Sequence, residues 1–221
     1  MCGSFNPRTN ERKLLDNGCY KRIDEGLSHF GLDAVREMNR LKIPIGLSHC
    51  GEQTTLEAIE SSSQPVAITH ANVRVFVDFA RNKSDVTLRA LAERGGVIKV
   101  VSFPIFLRHR YQSSLNDFGD VINDLVQRVC VDHVGIGNHL CQDQPHRFFQ
   151  WLSARQGKGF RPLAVETPNP HRHPHDLEMP NQMPNLAGAL LNRGYSEEDI
   201  SRIIGGNCFR LFREGWTDGE N

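Results

Sequence analysis

Four short apolar runs, at residues 43–47, 65–69, 97–103 and 131–137, alternate with stretches of helical periodicity. Strands that are almost continuously apolar, separated by amphipathic helices, specify βαβ units and a parallel sheet. Parallel strands need long crossovers, and the crossover helices cover the sheet. Phe30, Ala34, Val35, Met38 and Leu41 recur at helical spacing behind Ser28, a good N-cap. A second helix is predicted at 52–60, carrying Leu56 and Ile59. Ser84 caps a third, with Val86, Leu88 and Leu91 inward and Gly95 as its stop. The longest, 115–129, places Leu115, Phe118, Val121, Ile122, Leu125, Val126 and Val129 on one face. Pro145 opens a helix to 156, and residues 157–185 read as a long irregular loop. Helices at 186–193 (stopped by Gly194), from Ser196, and at 207–214 finish the chain. Residues 1–27 are polar and aperiodic and read as loop or tail, leaving 28–221 as one domain.

Composition narrows the function classes. The 26 basic and 26 acidic residues cancel, so the chain lacks the basic footprint of a nucleic-acid binder or an anionic-membrane protein. No apolar run reaches the roughly 18 residues a membrane span needs, and the first residues have no apolar signal-peptide core. Six scattered cysteines never form C-x-x-C, which suits a reducing compartment; the expected location is the cytoplasm. The sequon at Asn82 is expected to be silent there.

Three histidines stand where an α/β fold places its chemistry. His49 ends the first run, His70 ends the second, and His139 lies just past the fourth. Ligands of parallel α/β folds bind at the carboxyl ends of strands. Side chains alternate along a strand, so Ile45, Leu47 and His49 share a face, as do Val66, Ile68 and His70. Two imidazoles can therefore meet at one mouth, and neutral imidazole is the commonest metal ligand. A single strand-end histidine would more simply be a satisfied structural residue; the pair makes metal binding an even alternative.

Other patterns carry less. The 171–176 tract, with His171, His173 and His175, sits in a proline-rich loop, where such tracts bind metal adventitiously. His29 reads as a surface residue, and His109 and His133 have no partner pattern. Neither His-Glu-x-x-His nor Gly-x-Ser-x-Gly occurs. Gly135-Ile136-Gly137 lacks the third glycine of a dinucleotide fingerprint, and Cys50 reads as a buried, inert thiol.

Gly26-Leu27-Ser28-His29-Phe30-Gly31 followed by Val35-Arg36-Glu37-Met38-Asn39-Arg40-Leu41 resembles the membrane (renal) dipeptidase family of zinc peptidases. Leu47-Ser48-His49, the 65–70 run ending in Thr69-His70, Ala80-Arg81-Asn82, and His133-Val134-Gly135-Ile136-Gly137 are similar to the same family. So are the 193–200 stretch and Gly205-Gly206-Asn207. The resemblance implies an α/β fold: a partial (β/α)8 TIM-like barrel, about the last four βα units plus C-terminal helices. It implies His49 and His70 as zinc ligands and Arg81 as the group holding the substrate carboxylate. It implies dipeptide hydrolysis, with zinc as Lewis acid and source of hydroxide.

Two departures from the family pattern stand out. The family's strand-one His-x-Asp and bridging Glu have no counterpart, and His139 stands where the family has a proton-accepting acid. The expectation is a zinc dipeptidase, incomplete in this chain, with His139 as proton acceptor. The alternative is a catalytically lapsed metal- or peptide-binding relative or gene fragment, with His49, His70 and His139 around one zinc; an ordinary metal-free α/β domain would make the resemblance accidental. A half barrel is also expected to leave Ile45, Leu47, Val66 and Ile68 wet, and so to need a homodimer or a missing barrel half. The expected partner is otherwise a dipeptide or similar small substrate, with no nucleic acid and no membrane.

Overall fold

The computed structural model describes residues 23–138, 140, 147 and 173–216. It is an α/β structure. Three parallel strands, β1 (Ala67–Ile68), β2 (Val97–Val100) and β3 (Val134–Ile136), lie in chain order, each beside its predecessor. Helices α1 (His29–Arg40), α2 (Glu52–Ser61), α3 (Asp85–Glu93) and α4 (Leu115–Val129) fall before and between them. Helices α5 (Met183–Leu191), α6 (Glu197–Ser201) and α7 (Asn207–Trp216) follow, with a π-helical turn at Arg202–Gly206 between the last two. Among the described residues, no helix is long and apolar enough to cross a membrane.

The helix signals act as the sequence implies. Ser28, Ser84 and Ser196 each accept a first-turn N–H, and Ser114 forms a reciprocal capping box with Asp117. Gly95 and Gly194 stop their helices at φ +73° and +87°. The predicted bounds of α4 agree residue for residue, and its Phe118, Val121, Ile122, Leu125 and Val129 are buried. Val86, expected inward, is exposed, as are Phe30 and Leu41. Phe30 and Leu41 lie to the sides of the face buried by Gly31, Val35 and Met38, and Val86 lies on the side of α3 away from Leu88 and Leu91.

The strands are shorter than the apolar runs. The 43–47 run makes only a single parallel bridge, Gly46 to Ala67, in place of the predicted first strand. Leu47 N–H donates to Ala67 O and Ala67 N–H to Ile45 O. Pro65 offers no N–H where the next bond, to Ile43 O, would form, and the chain turns at Ser48, so the ladder cannot extend in either direction. Residues Val131–His133 form a 3-10 turn ahead of β3. The predicted loop to 185 is interrupted, since α5 begins at Met183. The predicted 145–156 helix, Arg147 apart, lies outside the described residues, as do residues 1–22. Residues 23–27 are irregular but anchored. Asp24 accepts from Gln53 N–H at 2.6 Å and Thr54 Oγ1 at 2.7 Å, capping α2 from outside the helix.

One correction concerns the core. Ile45, Leu47, Val66 and Ile68 are not wet: they are 4, 3, 1 and 0% exposed. All four belong to the main hydrophobic cluster, with Val35 and Met38 of α1 and Ala58 and Ile59 of α2. They face the helices, so no barrel interior is required to bury them. The opposite face carries Ala67 and Val97, which α7 covers through Leu211 and Phe212. Further along that face a Cβ on Gly137 would stand 2.0 Å from Thr69 O. A flat sheet would hold β1 and β3 about 9.5 Å apart. The chain leaving β1 therefore bends over β2 toward β3, and only glycine fits beneath it.

Candidate metal centre

Two turns at the strand ends carry the predicted ligands. Ser48-His49 follows the bridged segment, and Thr69-His70 leaves β1. Their imidazoles meet. His49 Nε2 and His70 Nε2 are 3.1 Å apart, the ring centroids are 5.1 Å apart, and the planes cross at 66°. Both side chains are half-buried.

The surrounding polar groups hold this geometry. Ser48 Oγ accepts the His70 backbone N–H at 3.0 Å and lies 2.7 Å from Thr69 Oγ1. Thr69 Oγ1 lies 3.0 Å from His70 Nδ1. Arg81 is 6% exposed. Its Nε donates to Ser48 O at 3.1 Å and its Nη2 to His70 O at 3.3 Å. The guanidinium thus ties together the backbones of both histidine turns. Its Cζ stands 5.4 Å from the centre of the Phe106 ring. Phe106 contacts Phe79 and Phe103, with centroids 5.2 and 5.5 Å away, so an aromatic wall adjoins the cation.

The loop that presents Arg81 is itself pinned. Asn72 donates to Val101 O and Phe106 O and accepts from Val101 N–H, locking the end of β1 to the end of β2. Lys83 is 2% exposed and donates to Cys50 O and Thr55 Oγ1. Glu52 receives Arg74 at 2.5 Å and Ser84 Oγ. Burial pushes the Glu52 carboxyl upward. The hydrogen bonds from Ser84 and Arg74, with the charges of Arg74 and Lys83, outweigh burial and hold it below the usual carboxylate range.

Nε2 atoms this close suit a shared cation. At 3.1 Å one Nε2–H donates to the lone pair of the other ring, and a cation in place of that proton would be held by both lone pairs. The donor set therefore fits two ligands of a metal ion. Among the described residues, no group of three or more His, Cys, Asp or Glu side chains converges to hold one. His139, the predicted proton acceptor, lies outside the described residues. Its neighbour Asn138 accepts from Ser102 N–H at 3.4 Å, beside the end of β2.

Sequence reasoning passed over His173. It is 3% exposed and its Nδ1 lies 2.8 Å from Ser102 Oγ, while His175 pairs with Asp176 at the surface. Spacing within the tract offers no hint of this split, because Ser102 is 71 residues away. Among the other histidines, His29 is exposed, His109 faces Asp117 and His133 faces Gly96 O. Cys50 is buried, as expected.

The profile of the membrane dipeptidase family (Peptidase family M19) matches residues 12–145 and 169–217. Dipeptidase tcpJ of Claviceps purpurea (strain 20.1) is 29% identical over 194 residues, which is 87% of this chain and 39% of that protein. Dipeptidase 3 of Homo sapiens is 26% identical over 86% of this chain and 33% of its own length. This chain thus spans little more than a third of these relatives. A solved amidohydrolase from Pseudomonas aeruginosa is 34% identical, with a TM-score of 0.87 over 95% of this chain and 63% of that one. A metallopeptidase from Rhodobacter sphaeroides, solved with a phosphinate mimic of the dipeptide L-Ala-D-Ala, shares the fold, with a TM-score of 0.70 and 24% identity over 88% of this chain and 48% of that one. With the profile matched over most of its length, this chain belongs to the membrane dipeptidase family.

Proposed function

We propose that this chain carries part of the active site of a zinc-dependent dipeptidase, with His49 and His70 as metal ligands and a dipeptide or similar small peptide as substrate. The observation that carries the reading is the 3.1 Å approach of the two Nε2 atoms at the carboxyl ends of adjacent parallel segments. Two nitrogens at zinc's bonding distance of about 2.0–2.1 Å, on a tetrahedral ion, lie about 3.3 Å apart. When bound, zinc supplies Lewis acidity toward a peptide carbonyl and lowers the pKa of a water.

The chain's own groups do the rest. His49 and His70 hold their lone pairs toward one point. Arg81 keeps the two turns at a set separation and places a cation beside them for the peptide's carboxylate. The half-buried Phe79 and Phe103 rings, backed by the buried Phe106, offer apolar surface to a substrate side chain and exclude water. His139, just past β3, is proposed as the proton acceptor. The sheet order, with each strand beside its predecessor, suits a segment of a (β/α)8 barrel, and residues 28–221 are proposed to form one such unit.

A second reading, a lapsed relative that binds metal or peptide without turnover, is favoured by one observation. Only the two histidines converge among the described residues. Metal analysis beside a dipeptide-cleavage assay separates the two. Bound zinc with turnover supports the enzyme; one zinc or none, without turnover, supports the lapsed form. Full zinc content in His49→Ala would remove the ligand assignment from both.

A further inference from the structure

The hydroxyls beneath the two imidazoles form a connected set that accommodates the form of His70 a metal needs. Nδ1 of that ring faces Thr69 Oγ1 at 3.0 Å, while Nε2 faces His49 at 3.1 Å. A neutral imidazole carries one proton. Nε2 offers a lone pair only when that proton sits on Nδ1, and an Nδ1–H turned toward the hydroxyls finds an acceptor there. Thr69 Oγ1 is placed to be that acceptor. Its own hydroxyl proton then points along the 2.7 Å contact to Ser48 Oγ. Ser48 Oγ is anchored in turn, since it is buried and accepts the His70 backbone N–H at 3.0 Å. The His70 backbone and the far side of its ring thus end on one pair of hydroxyls, which restrains ring rotation.

We propose that Thr69 is a positioning residue for the metal centre: its hydroxyl takes the Nδ1 proton of His70, backed by Ser48, and so presents the His70 Nε2 lone pair toward His49. This rests on the reading of His49 and His70 as metal ligands. Groups that orient a metal-binding histidine from behind are typically worth about 10–100-fold in metal affinity. The opposite polarity, with Thr69 donating to Nδ1, would put the proton on Nε2 and close the ring to metal.

The test uses the full chain and Co²⁺ as probe, with affinity read by chelator competition. The ring nitrogens of His70 are followed by ¹⁵N NMR in the metal-free protein. Thr69→Val keeps the side chain's shape and removes the hydroxyl; Thr69→Ser restores it. The expected result is a loss of about tenfold or more in Co²⁺ affinity for Thr69→Val and of less than about threefold for Thr69→Ser. The His70 signals of the unsubstituted chain should show the proton on Nδ1, and those of Thr69→Val a shift toward Nε2. A folded Thr69→Val chain with unchanged affinity and unchanged ¹⁵N signals would overturn the proposal, as would a proton on Nε2 in the unsubstituted chain. If Thr69→Val does not fold, Ser48→Ala, which removes the backing hydroxyl, is read by the same two measurements and the same outcomes. His49→Ala and His70→Ala separate the two levels. If they leave Co²⁺ binding intact, the ligand reading fails; if they abolish it while Thr69→Val does not weaken it, only the positioning role fails.

Discussion

His49 Nε2 and His70 Nε2 lie 3.1 Å apart although 21 residues separate them in the chain. Backbone pairing brings them together: Gly46 bridges Ala67 three residues before each histidine, so the two turns begin in register. Arg81 and the Ser48–Thr69 hydroxyl pair then join the turns.

The ligand assignment predicts that His70→Ala lowers bound zinc at least as much as His49→Ala. Neither substitution should lower the melting temperature of the metal-free chain by more than a few degrees, since both rings are only half-buried. Elemental analysis and a thermal melt check both points.

Arg81→Ala should destabilise the fold by about 2–4 kcal/mol, because two carbonyls lose their donor inside a site that is 94% removed from solvent at the arginine. Urea unfolding measures this. A residue that only clamped substrate would leave the unfolding midpoint where it is while raising KM.

Gly137→Ala should cost at least about 3 kcal/mol, since the new methyl would stand 2.0 Å from Thr69 O and 2.8 Å from Lys99 Cβ. Neither neighbour is a flexible side-chain end. A soluble, fully folded variant with an unchanged melting temperature would contradict the close passage of the chain over β2.

Acid should loosen the loop that carries Arg81. The Glu52 carboxyl sits below its ordinary range when folded, so the unfolded chain binds its proton more readily. Stability from this group is therefore fully present above the unfolded carboxylate pKa. It is lost as pH falls through the lower, folded value. Glu52→Gln should lower stability by about 1 kcal/mol at pH 7 and flatten the acid limb of a stability–pH profile. An unchanged acid limb would show that Glu52 carries no such linkage.

Much of this protein is written locally. Capping serines and stop glycines lie within a few residues of the helices they bound, so α1, α3, α4 and α6 are legible from spacing alone. The placing of His49 and His70 at the ends of apolar runs was equally readable, because strand ends are where parallel α/β folds gather ligands. Contacts between distant parts of the chain were not readable. Asp24 caps a helix about 30 residues away, His173 docks on Ser102 across 71, and Arg81 spans 33 to reach Ser48.

The burial of Ile45, Leu47, Val66 and Ile68 belongs with those contacts. Alternation along a strand separates two faces but does not say which face meets the helices. By itself, then, the sequence determined the order of elements, their caps and the residues able to bind a cation. Only the tertiary structure decided which sheet face α1 and α2 cover, how closely two imidazoles approach, and which hydroxyls and guanidinium hold them there. Those outcomes depend on packing between segments far apart in the chain, and no local pattern encodes such distances.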